Sequence, residues 1–145
     1  MENYKYSIAV SGTHGKTTTT AMLSYIMLEA DVDPTISVGG IIDDIGGNIR
    51  VGSSDYFVTE ACEYTNSFHA FKPYISIILN VDADHLDFFS GIEEIAESFH
   101  TFATKTPENG KVIVNGDMQY FDTVTRDLKC QVITCLLYTS DAADE

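Results

Sequence analysis

The sequence predicts an α/β fold in which helices flank a mostly parallel sheet. Short apolar runs rich in β-branched residues alternate with longer stretches whose apolar residues recur at helical spacing. Strands that are joined by helices pair in parallel and are covered on both faces, which fits these apolar runs. Three predicted strands are followed by polar clusters, and the carboxyl ends of such strands are where ligands bind. The 145 residues are enough for one domain with a substantial core.

The local pattern predicts each element of this fold in turn. Apolar runs predict strands over residues 6–10, 55–61, 74–81, 111–114 and 131–134, with short extended pieces at 36–38 and 41–42 and a small hairpin over 45–49. Helices are predicted over 17–30, between 92 and 103, and around 118–128. Thr65 is expected to cap a short helix that stops before Pro73. The first helix is expected to present one apolar face, formed by Met22, Leu23, Ile26, Met27 and Ala30.

Charge and cysteine content narrow the class of protein and partner. Eight lysines and arginines stand against 22 aspartates and glutamates, a net charge of −14, which argues against a nucleic-acid partner. An acidic protein can still bind a nucleotide, because Mg²⁺ supplies positive charge. The three cysteines have no metal-type spacing and predict reduced thiols in a cytoplasmic protein, with Cys62 as a small buried side chain. No apolar stretch reaches the roughly 18 residues of a membrane span.

A phosphate cradle is predicted where the first strand turns into the first helix. Two glycines let backbone N–H groups point inward, and the helix N-terminus adds partial positive charge. Lys16 is placed to reach a β- or γ-phosphate, and the Thr17 hydroxyl to ligate Mg²⁺. The common P-loop would have glycine where this chain has Val10, so an ordinary turn with a surface lysine stays the alternative. The residues predicted to line the cradle are Gly12, Thr13, His14 through its backbone N–H, Gly15, Lys16, Thr17 and Thr18.

Two further polar clusters carry candidate metal ligands. Glu60 stands at the tip of the strand over 55–61, where a carboxylate beside the cradle is placed to hold Mg²⁺. Glu63 could support it, although a solvated loop acid is the more frequent role of such a residue. His85, in the segment that begins at Asn80, could ligate a metal or hydrogen-bond a phosphate through a neutral imidazole. A loop histidine is more often structural or solvated, and that alternative also stays open.

Together the three clusters resemble the central ATPase domain of the Mur ligases. The matching segments read Gly-Thr-His-Gly-Lys-Thr-Thr-Thr-Thr at 12–20, Thr-Glu-Ala-Cys-Glu-Tyr at 59–64 and Asn-Val-Asp-Ala-Asp-His-Leu-Asp at 80–87. The resemblance covers residues 4–134, and three ordered motifs are more specific than any one of them. Within the family, the threonine run and the Glu-Ala-x-Glu motif favour the alanine-adding branch.

The resemblance implies an ATP-dependent ligase of peptidoglycan synthesis that joins L-alanine to UDP-N-acetylmuramate through an acyl phosphate. It implies ATP and Mg²⁺ as cofactors, with Lys16 on the β- and γ-phosphates and Thr17 on a first Mg²⁺. It also implies that Glu60 ligates metal near the γ-phosphate and that His85 lies near a second Mg²⁺. Asn80 belongs to the same nucleotide-binding motif. Lys16, Glu60 and His85 are therefore the expected catalytic residues.

Mur ligases have two further domains, and the resemblance implies that these bind the UDP-sugar and the incoming amino acid. Residues 1–135 are expected to form the central ATP-binding domain, truncated at its C-terminal side. Without the flanking domains, the chain alone is not expected to be a competent ligase. Residues 136–145 do not continue the pattern and are expected to be non-native or disordered.

Two alternative functions stay open. Another Mur-like amide ligase, such as a murein-peptide recycling ligase or a folylpolyglutamate synthase, would share these motifs and differ in the amine that it takes. A nucleotide-binding module that is not a ligase would share only the cradle. A GTPase is disfavoured, because the sequence lacks the guanine-reading motif Asn-Lys-x-Asp.

Overall fold

The computed structural model of the chain describes residues 1, 3–84 and 87–136. Its strands and helices alternate along the chain, as the apolar pattern predicts. In chain order they are β1 (Tyr6–Ser11), α1 (Lys16–Glu29), β2 (Thr35–Ile42), a 3-10 helix (Asp43–Ile45), β3 (Gly47–Arg50), β4 (Tyr56–Glu60), a second 3-10 helix (Tyr64–Ala70), β5 (Ile75–Ile78), α2 (Ile92–Ala103), β6 (Lys111–Asn115), α3 (Phe121–Thr125) and β7 (Gln131–Cys135).

These strands form one sheet with the order β3-β2-β4-β1-β5-β6-β7. β3 pairs antiparallel with β2 at one edge, and the other neighbouring strands pair in parallel. The predicted α/β class with a mostly parallel sheet is therefore confirmed. β1 lies between β4 and β5, and Val10 of β1 pairs with Glu60 on one side and Ile77 on the other. This order brings the loops that follow β1, β4 and β5 together at the carboxyl edge of the sheet.

Helices cover the two halves of the sheet from opposite faces. α1 packs over β1, β2 and β4, where Met27 lies in a buried cluster with Val58. On the other face, α2 and α3 share a core with β5 and β6 that contains three fully buried phenylalanines. The Phe68 ring stacks on Phe102 with 4.7 Å between centroids and meets Phe99 edge-on at 5.3 Å. None of the helices in the described ranges has both the length and the apolarity to cross a membrane.

The buried face of α1 differs from the predicted one. Met22 and Ile26, expected on the apolar face, are 58% and 65% exposed. Thr20 and Ser24 are buried instead, together with Met27. Their burial is possible because each hydroxyl donates to a carbonyl one turn earlier in the helix, both at 2.7 Å. The apolar periodicity therefore indicated the helix and the inward positions of Leu23 and Met27 correctly, but it placed Met22 and Ile26 wrongly.

Four other expectations needed correction. β5 is shorter than the run over 74–81, and the two extended pieces near residue 40 are one strand, β2. Thr65 does not cap a helix, since Thr65 and Asn66 both adopt left-handed conformations inside the second 3-10 helix. The helix expected around 118–128 is confined to α3, because Tyr120 and Asp127 have positive φ at its two sides.

A polar cluster around Asp33 lies at the amino end of β2, away from the carboxyl edge of the sheet. The Asp33 carboxylate accepts hydrogen bonds from the Ser53 hydroxyl, from the Ser53 N–H at 2.8 Å and from the Arg50 guanidinium. The Ser53 donors, followed by Arg50, lower the pKa of Asp33 to about 2. The turn before β2 is thereby tied to the loop that precedes β4.

Candidate phosphate- and metal-binding site

The loop between β1 and α1 forms a glycine-dependent cradle. Gly12 and Gly15 have φ values of +142° and +86°, which side chains rarely tolerate. A Cβ on Gly12 would also lie 3.0 Å from the Cβ of Leu79. Gly15 precedes the first residue of α1, so the N–H groups of the first helical turn face outward without intrahelical partners. A helix N-terminus of this kind favours the binding of an anion such as a phosphate.

The segment after β5 is hydrogen-bonded to this loop. The Asn80 amide spans the backbone of His14, accepting from its N–H at 2.8 Å and donating to its carbonyl at 2.9 Å. The backbone carbonyl of Asn80 accepts a hydrogen bond from the Thr13 N–H at 3.3 Å. The Thr13 hydroxyl in turn accepts one from the Asp82 N–H at 2.9 Å. The His14 N–H, expected to line the cradle, is therefore turned to Asn80. Asn80 and Thr13 position the loop in this structure.

Lys16 folds back into the loop and contacts a second acid. Its ammonium donates to the Gly12 carbonyl at 2.6 Å and to the Thr13 carbonyl at 3.3 Å. It also donates to the Glu63 carboxylate, with Nζ–O distances of 3.1 and 3.4 Å. Glu63 is 1% exposed, so the expected solvated loop acid is in fact a buried ion-pair partner. The one feature of the sequence that could have indicated this role is that Glu63 follows Glu60 by three residues, in a Glu-x-x-Glu motif.

Glu60 is brought directly to the start of α1. Its Oε2 accepts from the Thr17 hydroxyl at 3.1 Å, and its Oε1 accepts from the Gly39 N–H at 2.7 Å. β2 and β1 flank β4, which brings Gly39 of β2 and the start of α1, after β1, to Glu60. A Cβ on Gly39 would lie 3.1 Å from Glu60 Oε2, and one on Gly40 would lie 3.0 Å from Thr17 Cγ2. This glycine pair, which sequence analysis missed, permits the close approach.

The structure shows fewer contacts for the other polar residues near the site. Thr18 is exposed in the first turn of α1. Asp82, exposed at the carboxyl edge, has its Oδ2 3.6 Å from the His14 Nε2. His85 lies outside the described residues, as do residues 137–145 of the predicted tail. Among the residues that are described, no group of three histidine, cysteine, aspartate or glutamate side chains is arranged to hold a metal ion.

The segment after Glu63 is tied to the chain beyond β5. The Tyr64 hydroxyl donates to Asp87 Oδ2 at 2.9 Å, and its ring meets that of Phe88 edge-on at 6.2 Å. The hydrogen bond to Asp87 raises the pKa of Tyr64 above its usual value. Cys62, expected to be buried, is exposed beside this contact, because its neighbours Ala61 and Glu63 take the inward positions.

The chain matches the family model of the Mur ligase middle domain over residues 10–145. It belongs to the Mur ligase family. The predicted recognition is thereby confirmed, and the described part of this Mur ligase chain contains the cradle, Glu60 and Asn80.

Two curated relatives of this Mur ligase carry the same enzyme name. The UDP-N-acetylmuramate–L-alanine ligase of Lachnoclostridium phytofermentans is 54% identical over the whole chain, which covers 31% of that protein. The enzyme of the same name from Agathobacter rectalis is 56% identical over 134 residues, or 92% of the chain and 29% of the relative. The chain therefore spans about a third of the length of these relatives.

Solved structures of Mur ligases share the fold. The UDP-N-acetylmuramate–alanine ligase of Thermotoga maritima superposes with a TM-score of 0.74 at 30% identity, covering 85% of this chain and 28% of that one. The UDP-N-acetylmuramate:L-alanyl-gamma-D-glutamyl-meso-diaminopimelate ligase of Neisseria meningitides gives 0.83 at 28% identity, covering 92% and 46%.

Proposed function

We propose that this chain is the ATP- and Mg²⁺-binding part of a cytoplasmic ligase that joins L-alanine to UDP-N-acetylmuramate. One observation carries the proposal: the Thr17 hydroxyl lies 3.1 Å from the Glu60 carboxylate beside the glycine cradle and Lys16. A triphosphate on the start of α1 would have its terminal phosphates next to both groups. The 54–56% identity to alanine-adding relatives supports the choice of substrates.

The donor set at this point suits Mg²⁺. The ion takes oxygen ligands, keeps several waters and is usually held by one or two carboxylates together with substrate phosphates. Thr17 can offer a lone pair to the metal while its O–H donates to Glu60. Bound Mg²⁺ would neutralise the developing charge on the phosphates. By family resemblance, His85 would stand near a second ion.

The proposed reaction makes a poor leaving group into a good one. The lactyl carboxylate of UDP-N-acetylmuramate attacks the γ-phosphorus, and ADP leaves. The alanine amine then attacks the acyl carbon, loses a proton and expels phosphate. Lys16, Glu60 and Thr17 would act on the first step, because they lie together at the cradle where the terminal phosphates would bind. The cradle formed by Gly12, Gly15 and the start of α1 fixes the nucleotide.

Calorimetric titration of the 145-residue chain with MgATP tests the nucleotide part of this proposal. Lys16→Ala should weaken binding by about tenfold or more, since it removes a charge-assisted phosphate contact. Lys111→Ala removes the same charge at the start of β6, where the half-buried Lys111 donates to Gln131, and serves as the matched control. Binding of MgATP that is equal in both variants, with both folded by circular dichroism, would refute the assignment of the cradle.

A murein-peptide ligase is the second candidate, because the TM-score of 0.83 to the Neisseria structure exceeds that to the Thermotoga enzyme. Because the flanking domains are expected to select the amine, a chimaera tests whether residues 1–135 work together with those of an alanine-adding relative. Residues 1–135 replace the matching segment of the Lachnoclostridium ligase, and ADP release is measured with UDP-N-acetylmuramate and either L-alanine or the tripeptide. Alanine-dependent release supports the proposal. A folded chimaera that releases no ADP with alanine contradicts it.

The domain assignment is part of the same proposal. Residues 1–135 would fold as the central ATP-binding unit, and residues 136–145 would add nothing to it. Truncation after Cys135 should leave both the melting temperature and the affinity for MgATP unchanged. A truncated chain that loses either would show that the tail belongs to the domain.

A further inference from the structure

Glu63 is a buried acid to which the proposed function gives no task. It is 1% exposed and lies against the Lys16 ammonium, whose side chain is 16% exposed. The ammonium has three N–H donors, and the carbonyls of Gly12 and Thr13 and the Glu63 carboxylate already accept from them. An incoming phosphate must therefore share or replace one of these acceptors.

The Thr13 carbonyl is the acceptor that Lys16 gives up most readily. Its distance of 3.3 Å exceeds the 2.6 Å to the Gly12 carbonyl and the 3.1 Å to the nearer Glu63 oxygen, and a long hydrogen bond is a weak one. The bond to Glu63 joins two opposite charges at 3.1 Å in a buried position, where their attraction is stronger than in water. Lys16 therefore keeps Glu63 when it turns one N–H to a phosphate.

The retained pair changes the charge that the cradle offers. Lys16 and Glu63 together carry no net charge, and Glu60 adds a second carboxylate through its hydrogen bond with Thr17. A polyphosphate alone would thus meet more negative than positive charge at the described contacts of the loop. A divalent cation reverses this balance.

We propose that Glu63 is a specificity-determining residue that makes binding of the β- and γ-phosphates depend on Mg²⁺. It does so by holding Lys16 in place and cancelling its charge. The inference rests on the proposed ATP site and adds to it a role for the second glutamate of the Glu-x-x-Glu motif. Glu63→Gln keeps an oxygen acceptor for Lys16 and removes only the negative charge.

The test compares affinities for ATP with Mg²⁺, ATP with EDTA, and AMP, measured by calorimetry on the 145-residue chain. For Glu63→Gln we expect metal-free ATP to bind about tenfold tighter, from loss of a like charge near the phosphates. MgATP should change less, and AMP, which lacks the β- and γ-phosphates, should not change. Glu108→Gln, which removes the same charge from an exposed loop before β6, is the control.

Each result decides the question. Equal affinities of Glu63→Gln and Glu108→Gln for metal-free ATP overturn the inference. The unchanged chain provides a second measurement if Glu63→Gln does not fold: its affinity for ATP should rise at least about tenfold with Mg²⁺, and equal affinity with and without the metal also overturns the inference. A chain that binds ATP under neither condition refutes the proposed function itself, which separates the two failures.

Discussion

Replacing Asn80 by alanine should weaken nucleotide binding although Asn80 is not expected to touch the metal. The substitution removes two hydrogen bonds to the His14 backbone, of 2.8 and 2.9 Å. Each such bond contributes about 0.5–1.5 kcal/mol, and their solvent exposure places the sum near the lower end, at about 1–2 kcal/mol. Because the loop must be ordered when phosphate binds, this cost raises the dissociation constant for MgATP by about 5- to 30-fold.

Titration calorimetry on the folded variants measures this effect. Asn115→Ala is the matched control, since Asn115 ends β6 at the same edge of the sheet and its side chain accepts from Asp117 N at 3.0 Å. Asn80→Asp should bind MgATP no better than Asn80→Ala, because a carboxylate oxygen would face the His14 carbonyl where the amide now donates. An Asn80→Ala variant that binds MgATP within about twofold of the unchanged chain would refute the reasoning.

Three further predictions follow from the fold and the site. Gly39→Ala places a Cβ 3.1 Å from Glu60 Oε2, so calorimetry should show weaker binding of MgATP and little change for ATP in EDTA. Phe68→Ala, which empties a fully buried ring position, should lower the free energy of unfolding in urea by about 3–5 kcal/mol, whereas the exposed Phe88→Ala should cost under about 1 kcal/mol. Asp33 has its folded pKa lowered to about 2, so Asp33→Asn should destabilise the chain at neutral pH, and urea titrations should show this difference disappearing as the pH falls from about 4 to 2.

The fold and the outline of the site were predictable because both follow from short-range pattern. Apolar strands that alternate with helices specify a parallel sheet, and the polar residues that follow such strands meet at one edge. Glu60 and Lys16 lie on the same side of the molecule for this reason. The burial of Thr20 and Ser24 on α1 was not predictable, since it depends on hydrogen bonds of their hydroxyls within the helix that apolar periodicity does not indicate.

The contacts that refine the site arise from long-range neighbours. Glu63 is buried because Lys16, 47 residues away, supplies its counter-ion. Gly39 fixes Glu60 because β2 lies next to β4, an order that no local pattern specifies. The hydrogen bond from the His14 N–H to Asn80, 66 residues away, is a contact of the same kind that no local pattern predicts.

The bonds that join Thr13 and His14 to the segment at 80–82 have a mechanical consequence. The cradle cannot swing away from β5 without carrying Asn80 and the Asp82 backbone with it. The loop at residues 12–16 and the segment at 80–82 therefore move together as one unit. Their relative position is fixed before any ligand binds, so binding does not incur the entropic cost of ordering the two segments.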